Sequence, residues 1–151
     1  MVNVLPLVLK PLDSIAFLKL FSTRTFDTVG YIISLNILPD SKSIVFSSSH
    51  KRAFCYIDDA INQMLQLCSS KVNFNKIYNI GNSSEPITMI KLSKLIKNQL
   101  GSNTKLVPGS ITSGSIGNRV PFVKKELRSY CRTSLDEGIK KTIKWYLEND
   151  K

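Results

Sequence analysis

One histidine limits the nucleophilic chemistry that this chain can perform. A Ser-His-Asp or Cys-His system would have to include His50, because no other histidine is present. His50 follows a run of serines and precedes a lysine, which predicts a solvated loop histidine. Asp58 and Asp59 are adjacent, so their side chains point apart instead of facing a common substrate. H-E-x-x-H, P-loop and acidic metal motifs are missing from the sequence, which therefore predicts no catalytic residue and no metal ligand.

The spacing of the glycines indicates whether the sequence contains a dinucleotide-binding turn. Such a turn places close-set glycines between a strand and a helix, where backbone amides meet the pyrophosphate. Gly114 and Gly117 have a suitable three-residue gap, but their loop comes late and follows no βα unit. Neither G-x-G-x-x-G nor G-x-x-G-x-x-G occurs among the 7 glycines. The sequence therefore predicts no cofactor-binding residue.

The three cysteines predict neither a zinc site nor a disulfide framework. Cys55, Cys68 and Cys131 are odd in number and lack C-x-x-C spacing. The opening stretch 1–9 is apolar but short, contains Pro6 and lacks an initial positive region, so we expect no signal peptide. The longest apolar stretches fall short of the roughly 18 residues that suggest a membrane span. We therefore expect a cytoplasmic protein without a membrane partner.

The charge balance favours anionic ligands. The chain has 21 Lys+Arg against 11 Asp+Glu, for a formal net charge of +10, and such a balance attracts nucleic acid or phosphate-bearing metabolites. Many lysines fall in two expected helices, around residues 91–97 and 140–144, and are interpreted as solvated helix faces. Since no long run of like charges marks a nucleic-acid arm, we expect no nucleic-acid partner.

The elements that must position any site are short strands and three principal helices. At 151 residues the chain is long enough for one domain with a buried core. Strands are predicted at 44–46, 76–80 and 104–107, a loop at 109–118, and a short helix at 123–127. This order predicts an α/β (α+β) fold for the part of the chain after residue 43.

Capping residues define the three principal helices. Asp58 and Asp59 are expected to begin the first, and Thr88 to cap the second, which Gly101 ends as a C′ glycine. Ser134 and Glu137 form a capping box for the third. The helically spaced apolar positions are, in order, Ile61, Met64, Leu65 and Cys68; Leu92, Leu95, Ile96 and Leu100; and Ile139, Ile143, Tyr146 and Leu147.

Three sequence blocks resemble one enzyme family. They are RAFCYIDDA (52–60), IYNIGN (77–82) and SLDEGIKKTIKWY (134–146). In this order they resemble the C-terminal part of the NAD-dependent epimerase/dehydratases, extended short-chain dehydrogenase/reductases that act on nucleotide sugars. The family signatures are an R-x-F-x-Y-V-D-D-like segment, a Y-N-I-G strand end and an S-L-E-E-G-L-x-x-T-I-x-W-Y-like terminal helix. The match spans residues 44–146.

The resemblance implies a small substrate-binding lobe that closes over the sugar nucleotide. In the family a separate, larger Rossmann lobe holds NAD(P) and supplies the catalytic tyrosine. We therefore divide the chain into a preceding segment, 1–43, and a substrate-binding lobe, 44–151, with the Rossmann lobe absent or largely absent. No NAD is expected to bind this chain alone.

The resemblance also implies the substrate-binding residues. Arg52 matches the family arginine that contacts the nucleotide diphosphate, and Arg119 lies where a second phosphate-contacting arginine precedes a proline. A guanidinium fork suits phosphate oxygens because it binds them bidentately and keeps its charge. Ile44 and Phe46 match a strand that packs against the nucleotide base. The ligand would be a UDP-, GDP- or dTDP-linked sugar.

The sequence departs from the family pattern in three places. Phe122 stands where the family has an acidic residue, and Ser47–Ser49 replaces a glycine-rich loop. The family also uses a tyrosine whose acidity is raised by a lysine four residues later. None of the 5 tyrosines meets this requirement. The residues four positions after them are Leu35, Ala60, Asn82, Ser134 and Asp150.

These observations predict a truncated or split nucleotide-sugar epimerase/dehydratase. It would serve carbohydrate biosynthesis, retain the nucleotide-sugar-binding lobe, and be inactive as a single chain. The alternative is a non-catalytic interaction protein, or a degenerate relic, that pairs with a separate Rossmann chain.

Overall fold

The computed structural model describes residues 6–8, 42–69 and 76–149, which form seven short strands and four helices. Of the preceding segment 1–43, residues 1–5 and 9–41 lie outside this part. The strands are β1 (Pro6–Val8), β2 (Lys42–Val45), β3 (Lys51–Arg52), β4 (Ile77–Asn79), β5 (Ile87–Thr88), β6 (Lys105–Pro108) and β7 (Asn118–Arg119). The helices are α1 (Ile57–Cys68), α2 (Met89–Leu100), α3 (Lys125–Arg128) and α4 (Leu135–Asn149). The α/β (α+β) class is confirmed.

The described strands form three small sheets. In the first, β1 pairs antiparallel with β4, and in the second, β2 pairs parallel with β6, with Ile44 opposite Val107. The third has the order β5-β3-β7, in which β3 is antiparallel to β5 and parallel to β7. Since β3 and β7 come from distant parts of the sequence, this third sheet joins the two halves of the lobe.

Two apolar clusters form the core of the described part. One lies between α1, β4 and α3, and the other between α2 and α4. Leu92 and Ile96 of α2 pack with Ile139 and Ile143 of α4 in the second cluster, as the apolar spacing predicts. Trp145 and Leu147, by contrast, remain exposed on α4.

The buried face of α1 is not the apolar stripe predicted from its sequence. Ile61, Leu65 and Cys68 are exposed, and the buried positions are Asp59, Ala60, Gln63 and Leu67. Asp59 also does not cap the helix. Its Oδ2 instead accepts a hydrogen bond from the backbone N–H of Thr133, at 2.9 Å. Of the predicted positions only Met64 packs against the core, because polar Asp59 and Gln63 share the buried face of α1 with Ala60 and Leu67.

Gln63 makes the most connected of these polar contacts. Its side chain is fully buried, and its Oε1 accepts from the backbone N–H of Gly81 at 2.8 Å. Its Nε2 lies 3.0 Å from each of the carbonyl oxygens of Gly81 and Leu127. The amide therefore ties α1 to the end of β4 and to α3. Gly81 has φ 151°, a conformation that favours glycine.

The helix ends lie close to the predicted positions, but only some of the predicted capping hydrogen bonds are present. Gly101 ends α2 with φ 63°, and the N–H of Glu137 donates to Ser134 Oγ at 3.2 Å in α4. Thr88 occupies the N-cap position of α2 but makes no side-chain cap hydrogen bond. The N–H groups of Met89 and Ile90 donate instead to the carbonyls of His50 and Ser48, respectively, each at 3.1 Å.

We expect Gln63→Leu to lower the free energy of unfolding by about 2 to 5 kcal/mol. The substitution leaves the N–H of Gly81 buried without its partner, which costs about 1 to 3 kcal/mol. It also removes one hydrogen bond from each of the carbonyls of Gly81 and Leu127, at about 0.5 to 1.5 kcal/mol each, although both carbonyls keep another donor. Urea denaturation followed by circular dichroism measures the change. Gln66→Leu, at an exposed position of the same helix, is the matched control and should stay within about 0.5 kcal/mol of the original chain. Equal effects of the two substitutions would contradict this role of Gln63.

Candidate anion-binding site

Arg52 and Arg119 are brought together by the pairing of β3 with β7. The two strands are parallel, and Arg52 stands directly opposite Arg119 in the register. Arg52 is half-buried and Arg119 is exposed. Two residues far apart in sequence thus present guanidinium groups at the same level of one small sheet.

The electrostatics of the arginine pair favour an anion. Burial and, next in importance, the positive charge of Arg119 lower the pKa of Arg52 from its ordinary value, although arginine remains protonated at neutral pH. Among the described residues, the salt bridges all lie on α4 and none reaches either guanidinium. A bound phosphate group would relieve the repulsion and accept charge-assisted hydrogen bonds.

Hydrogen bonds to Ser115 and to the backbone hold the Arg52 side chain. Its Nη1 donates to the carbonyl oxygen of Lys51 at 2.8 Å, and its Nη2 donates to Ser115 Oγ at 3.3 Å. Ser115 follows a turn in which its N–H donates to the carbonyl of Thr112 at 3.0 Å and Gly114 has φ 72°. The 109–118 loop is therefore anchored at Arg52.

The buried side chain of His50 contacts the same loop. Its side chain is only 5% exposed, and its Nδ1 lies 3.0 Å from Ser115 Oγ. The prediction of a solvated histidine was wrong, because the 109–118 loop folds back and covers the ring. His50 thus contacts the residue that positions Arg52.

Ser47 fastens the other end of this loop. Its N–H donates to the carbonyl of Ser110 at 2.9 Å, and its Oγ accepts from the N–H of Thr112 at 3.0 Å. Ser47 has φ 48°, the left-handed conformation that glycine adopts most easily. Ser47 therefore holds a backbone conformation typical of glycine and adds hydrogen bonds to the 109–118 loop.

Ile44 and Phe46 lie together on the outward face of β2 and the turn that follows it. Their side chains are 48% and 55% exposed and alternate with buried Ser43, Val45 and Ser47. A Cβ atom at Gly109 would lie 2.7 Å from Ile44 Cγ2 and 3.2 Å from Phe46 Cδ1, so the glycine leaves room for both side chains. Ile44 belongs to the β2–β6 sheet and Phe46 to the turn that follows β2, whereas the arginine pair belongs to the β5-β3-β7 sheet.

Sequence reasoning missed four residues that organise this region. They are Ser47, His50, Gly109 and Ser115. The Ser-Gly-Ser run at 113–115 carried a turn signal that points to Ser115. Nothing in the sequence marks His50 as buried, because its covering loop lies more than sixty positions away.

The described residues do not fit a bound NAD. A pyrophosphate needs free backbone amides at a glycine-rich turn between a strand and a helix. Gly81 follows β4, but its N–H already donates to Gln63 Oε1, and the next helix begins only at Met89. In the same residues, no group of three or more His, Cys, Asp or Glu side chains is placed to hold a metal ion. Every helix in this part of the chain is too short or too polar to cross a bilayer.

Comparison with curated sequences finds distant relatives. No family model matches the sequence. A UDP-glucuronic acid decarboxylase from Danio rerio is 27% identical over an alignment of 133 positions, which covers 83% of this chain and 31% of that protein. The chain thus spans about a third of the length of the curated relatives it matches.

Solved structures share the fold. A UDP-glucose 4-epimerase from Thermotoga maritima, solved with UDP-glucose, aligns with a TM-score of 0.65 and 20% identity, over 82% of this chain and 40% of that one. A dTDP-glucose 4,6-dehydratase from Bacillus anthracis, solved with NAD, aligns with a TM-score of 0.66 and 16% identity, over 82% and 39%. The fold is that of the C-terminal part of epimerase/dehydratase enzymes, and the sequence resemblance is confirmed.

We expect Ser47→Ala to lower the free energy of unfolding by about 1 to 2 kcal/mol. The substitution removes the acceptor of the Thr112 N–H while keeping the left-handed backbone. Thermal unfolding at fixed pH measures the loss. Ser49→Ala, at an exposed position of the same turn, is the control and should change stability by less than about 0.5 kcal/mol. A similar loss at both positions would argue against an anchoring role for Ser47.

Proposed function

We propose that residues 44–151 are the nucleotide-sugar-binding lobe of a truncated or split NAD-dependent epimerase/dehydratase. In this proposal Arg52 and Arg119 bind the diphosphate of the nucleotide. The observation that carries it is the direct pairing of these arginines across β3 and β7, with no salt-bridge partner for either among the described residues. The similarity to an epimerase solved with UDP-glucose supports the ligand class.

The chemistry of a diphosphate suits this pair. The bridging linkage of a nucleotide sugar carries two phosphates, so two guanidinium groups side by side can each meet one of them bidentately. Ser115 restricts the motion of the Arg52 side chain. Part of the entropy cost of ordering that side chain is then met before the ligand arrives.

Ile44 and Phe46 are assigned to the nucleotide base. Both side chains are exposed on one face of β2 and its turn, and an exposed aromatic ring can stack on a base while the aliphatic side chain packs beside it. The base would be uracil, guanine or thymine, since apolar contact of this kind does not distinguish them.

Catalysis is assigned to a lobe outside the described residues. The residues described here do not fit NAD, and the sequence has no Tyr-x-x-x-Lys pair. We therefore expect the chain alone to bind a nucleotide sugar without converting it, and place it in carbohydrate biosynthesis in the cytoplasm.

We expect UDP-glucose, GDP-mannose or dTDP-glucose to raise the melting temperature of the chain, because a ligand that binds only the folded state stabilises it. Arg52→Ala and Arg119→Ala should each weaken binding about 10- to 100-fold, the effect of losing one charge-assisted contact. Isothermal titration calorimetry measures the affinities.

Two controls separate the diphosphate contact from general charge. Arg132→Ala removes an exposed arginine outside the sheet and should leave the affinity unchanged. A nucleoside without phosphates should bind equally to the original chain and to Arg52→Ala. Unchanged affinity for all three sugar nucleotides in both sheet variants would contradict the proposed site.

The second candidate function is that of a non-catalytic partner for a separate Rossmann chain. It is favoured by three exposed apolar side chains spaced four residues apart on α1. Ile57, Ile61 and Leu65 form this stripe, with Leu65 62% exposed. Residues at this spacing lie on one helix face, and such a contiguous apolar patch is typical of an interaction surface.

We expect the double substitution Ile61→Lys and Leu65→Lys to abolish association with a Rossmann lobe expressed as a separate chain. The unfolding free energy should change by less than about 0.5 kcal/mol per site, since both side chains are exposed. Sedimentation velocity of the mixture measures association. Ile111→Lys, at an exposed position in the 109–118 loop, is the control. If the double variant still associates, the stripe is not the docking surface.

A further inference from the structure

Two of the three cysteines meet in the core of the described part. Cys55 lies in the extended segment between β3 and α1 and is 1% exposed, within the cluster that includes Ala60 and Val123. Cys131 follows α3 and packs against the same cluster, with part of its surface open to solvent. The fold therefore brings together two thiols that are about 75 residues apart in sequence.

The hydrogen bonds around the two sulfurs give them different roles. Cys55 belongs to the cluster against which Cys131 packs, and Gln63 Nε2 lies 2.9 Å from Cys131 Sγ. In its thiol form Cys131 donates to the carbonyl oxygen of Gly81 at 3.3 Å. The Cys131 sulfur thus accepts a hydrogen bond from Gln63.

These contacts also shift the pKa values of the two thiols in opposite directions. The hydrogen bond from Cys55, aided by Gln63, lowers the pKa of Cys131, against the opposing effects of burial and of Asp59. The same hydrogen bond and burial raise the pKa of Cys55. The thiolate is the reactive form of cysteine. The more exposed sulfur is therefore also the better nucleophile.

We propose that Cys55 and Cys131 form a reversible intramolecular disulfide when the folded chain meets a low-molecular-weight disulfide such as oxidised glutathione. The Cys131 thiolate attacks one sulfur of the oxidant, forming a mixed disulfide and releasing one thiolate. Cys55 then loses its proton and attacks the Cys131 sulfur, which releases the second small thiol. In sum, two protein thiols are oxidised to one disulfide and one small disulfide is reduced to two thiols.

The cross-link would join the two sequence halves of the lobe. It ties the segment that follows Arg52 to the loop between α3 and α4, beside the Asp59–Thr133 hydrogen bond. A disulfide that closes a long loop restricts the unfolded chain, so it stabilises the folded one. The redox state of the pair would therefore set the stability of the lobe.

The test is to oxidise the reduced full chain with oxidised glutathione under native conditions and to map the peptides by mass spectrometry. We expect the loss of two hydrogen atoms with Cys55 linked to Cys131, a higher melting temperature, and reversal by dithiothreitol. Exposed Cys68 should carry a glutathione mixed disulfide without joining the cross-link. In urea, which unfolds the chain, disulfides should form among all three cysteines without a preference for the Cys55–Cys131 pair.

Single variants distinguish the roles of the sulfurs. Cys55→Ser should leave glutathione on Cys131, Cys131→Ser should leave Cys55 unmodified, and Cys68→Ser should form the same cross-link as the original chain. The proposal fails if Cys131 of the original chain keeps its glutathione, or if the linked peptides contain Cys68. The original chain alone decides this point, so the test does not depend on whether the variants fold.

Discussion

The buried amide of Gln63 is the contact on which the arrangement of the described part depends. It satisfies both backbone groups of Gly81 and the carbonyl of Leu127, and it contacts the sulfur of Cys131. A single side chain therefore fixes α1 against the end of β4, α3 and the loop before α4. Any other relative placement of those elements would leave buried polar groups unpaired, at a cost in folding free energy. The network therefore specifies their arrangement more strictly than apolar contacts alone would.

The arginine pair depends on a second constraint, the folding of the 109–118 loop onto the turn before β3. Ser47 anchors the start of that loop, and Ser115 joins His50 to Arg52 near its end. The pairing of β3 with β7 then places Arg119 opposite Arg52. Two positive charges are thereby placed side by side where no carboxylate of the described residues forms a salt bridge with either, which is the physical basis for proposing an anionic ligand.

The two constraints meet in the short extended segment from Arg52 to Cys55. Arg52 belongs to the charged sheet, whereas Cys55 belongs to the apolar cluster beneath α1. Phe54, between them, packs in the second cluster with α2 and α4. One short extended segment thus connects the core around Cys55 to the arginine pair.

The sequence by itself determined the fold class, the second and third principal helices with their apolar faces, and the two arginines as phosphate-binding candidates. The fold class and the helices follow from local periodicity and from cap residues such as Gly101 and Ser134, whereas the two arginines follow from the resemblance to the family. Only the tertiary structure decided which face of α1 is buried, that His50 is covered, and that Ser115 positions Arg52. Each of these depends on a hydrogen bond between residues far apart in the chain, for which local sequence carries no signal. Polar residues at buried positions, such as Gln63 and Asp59, are indistinguishable in sequence from solvated ones until their partners are in place.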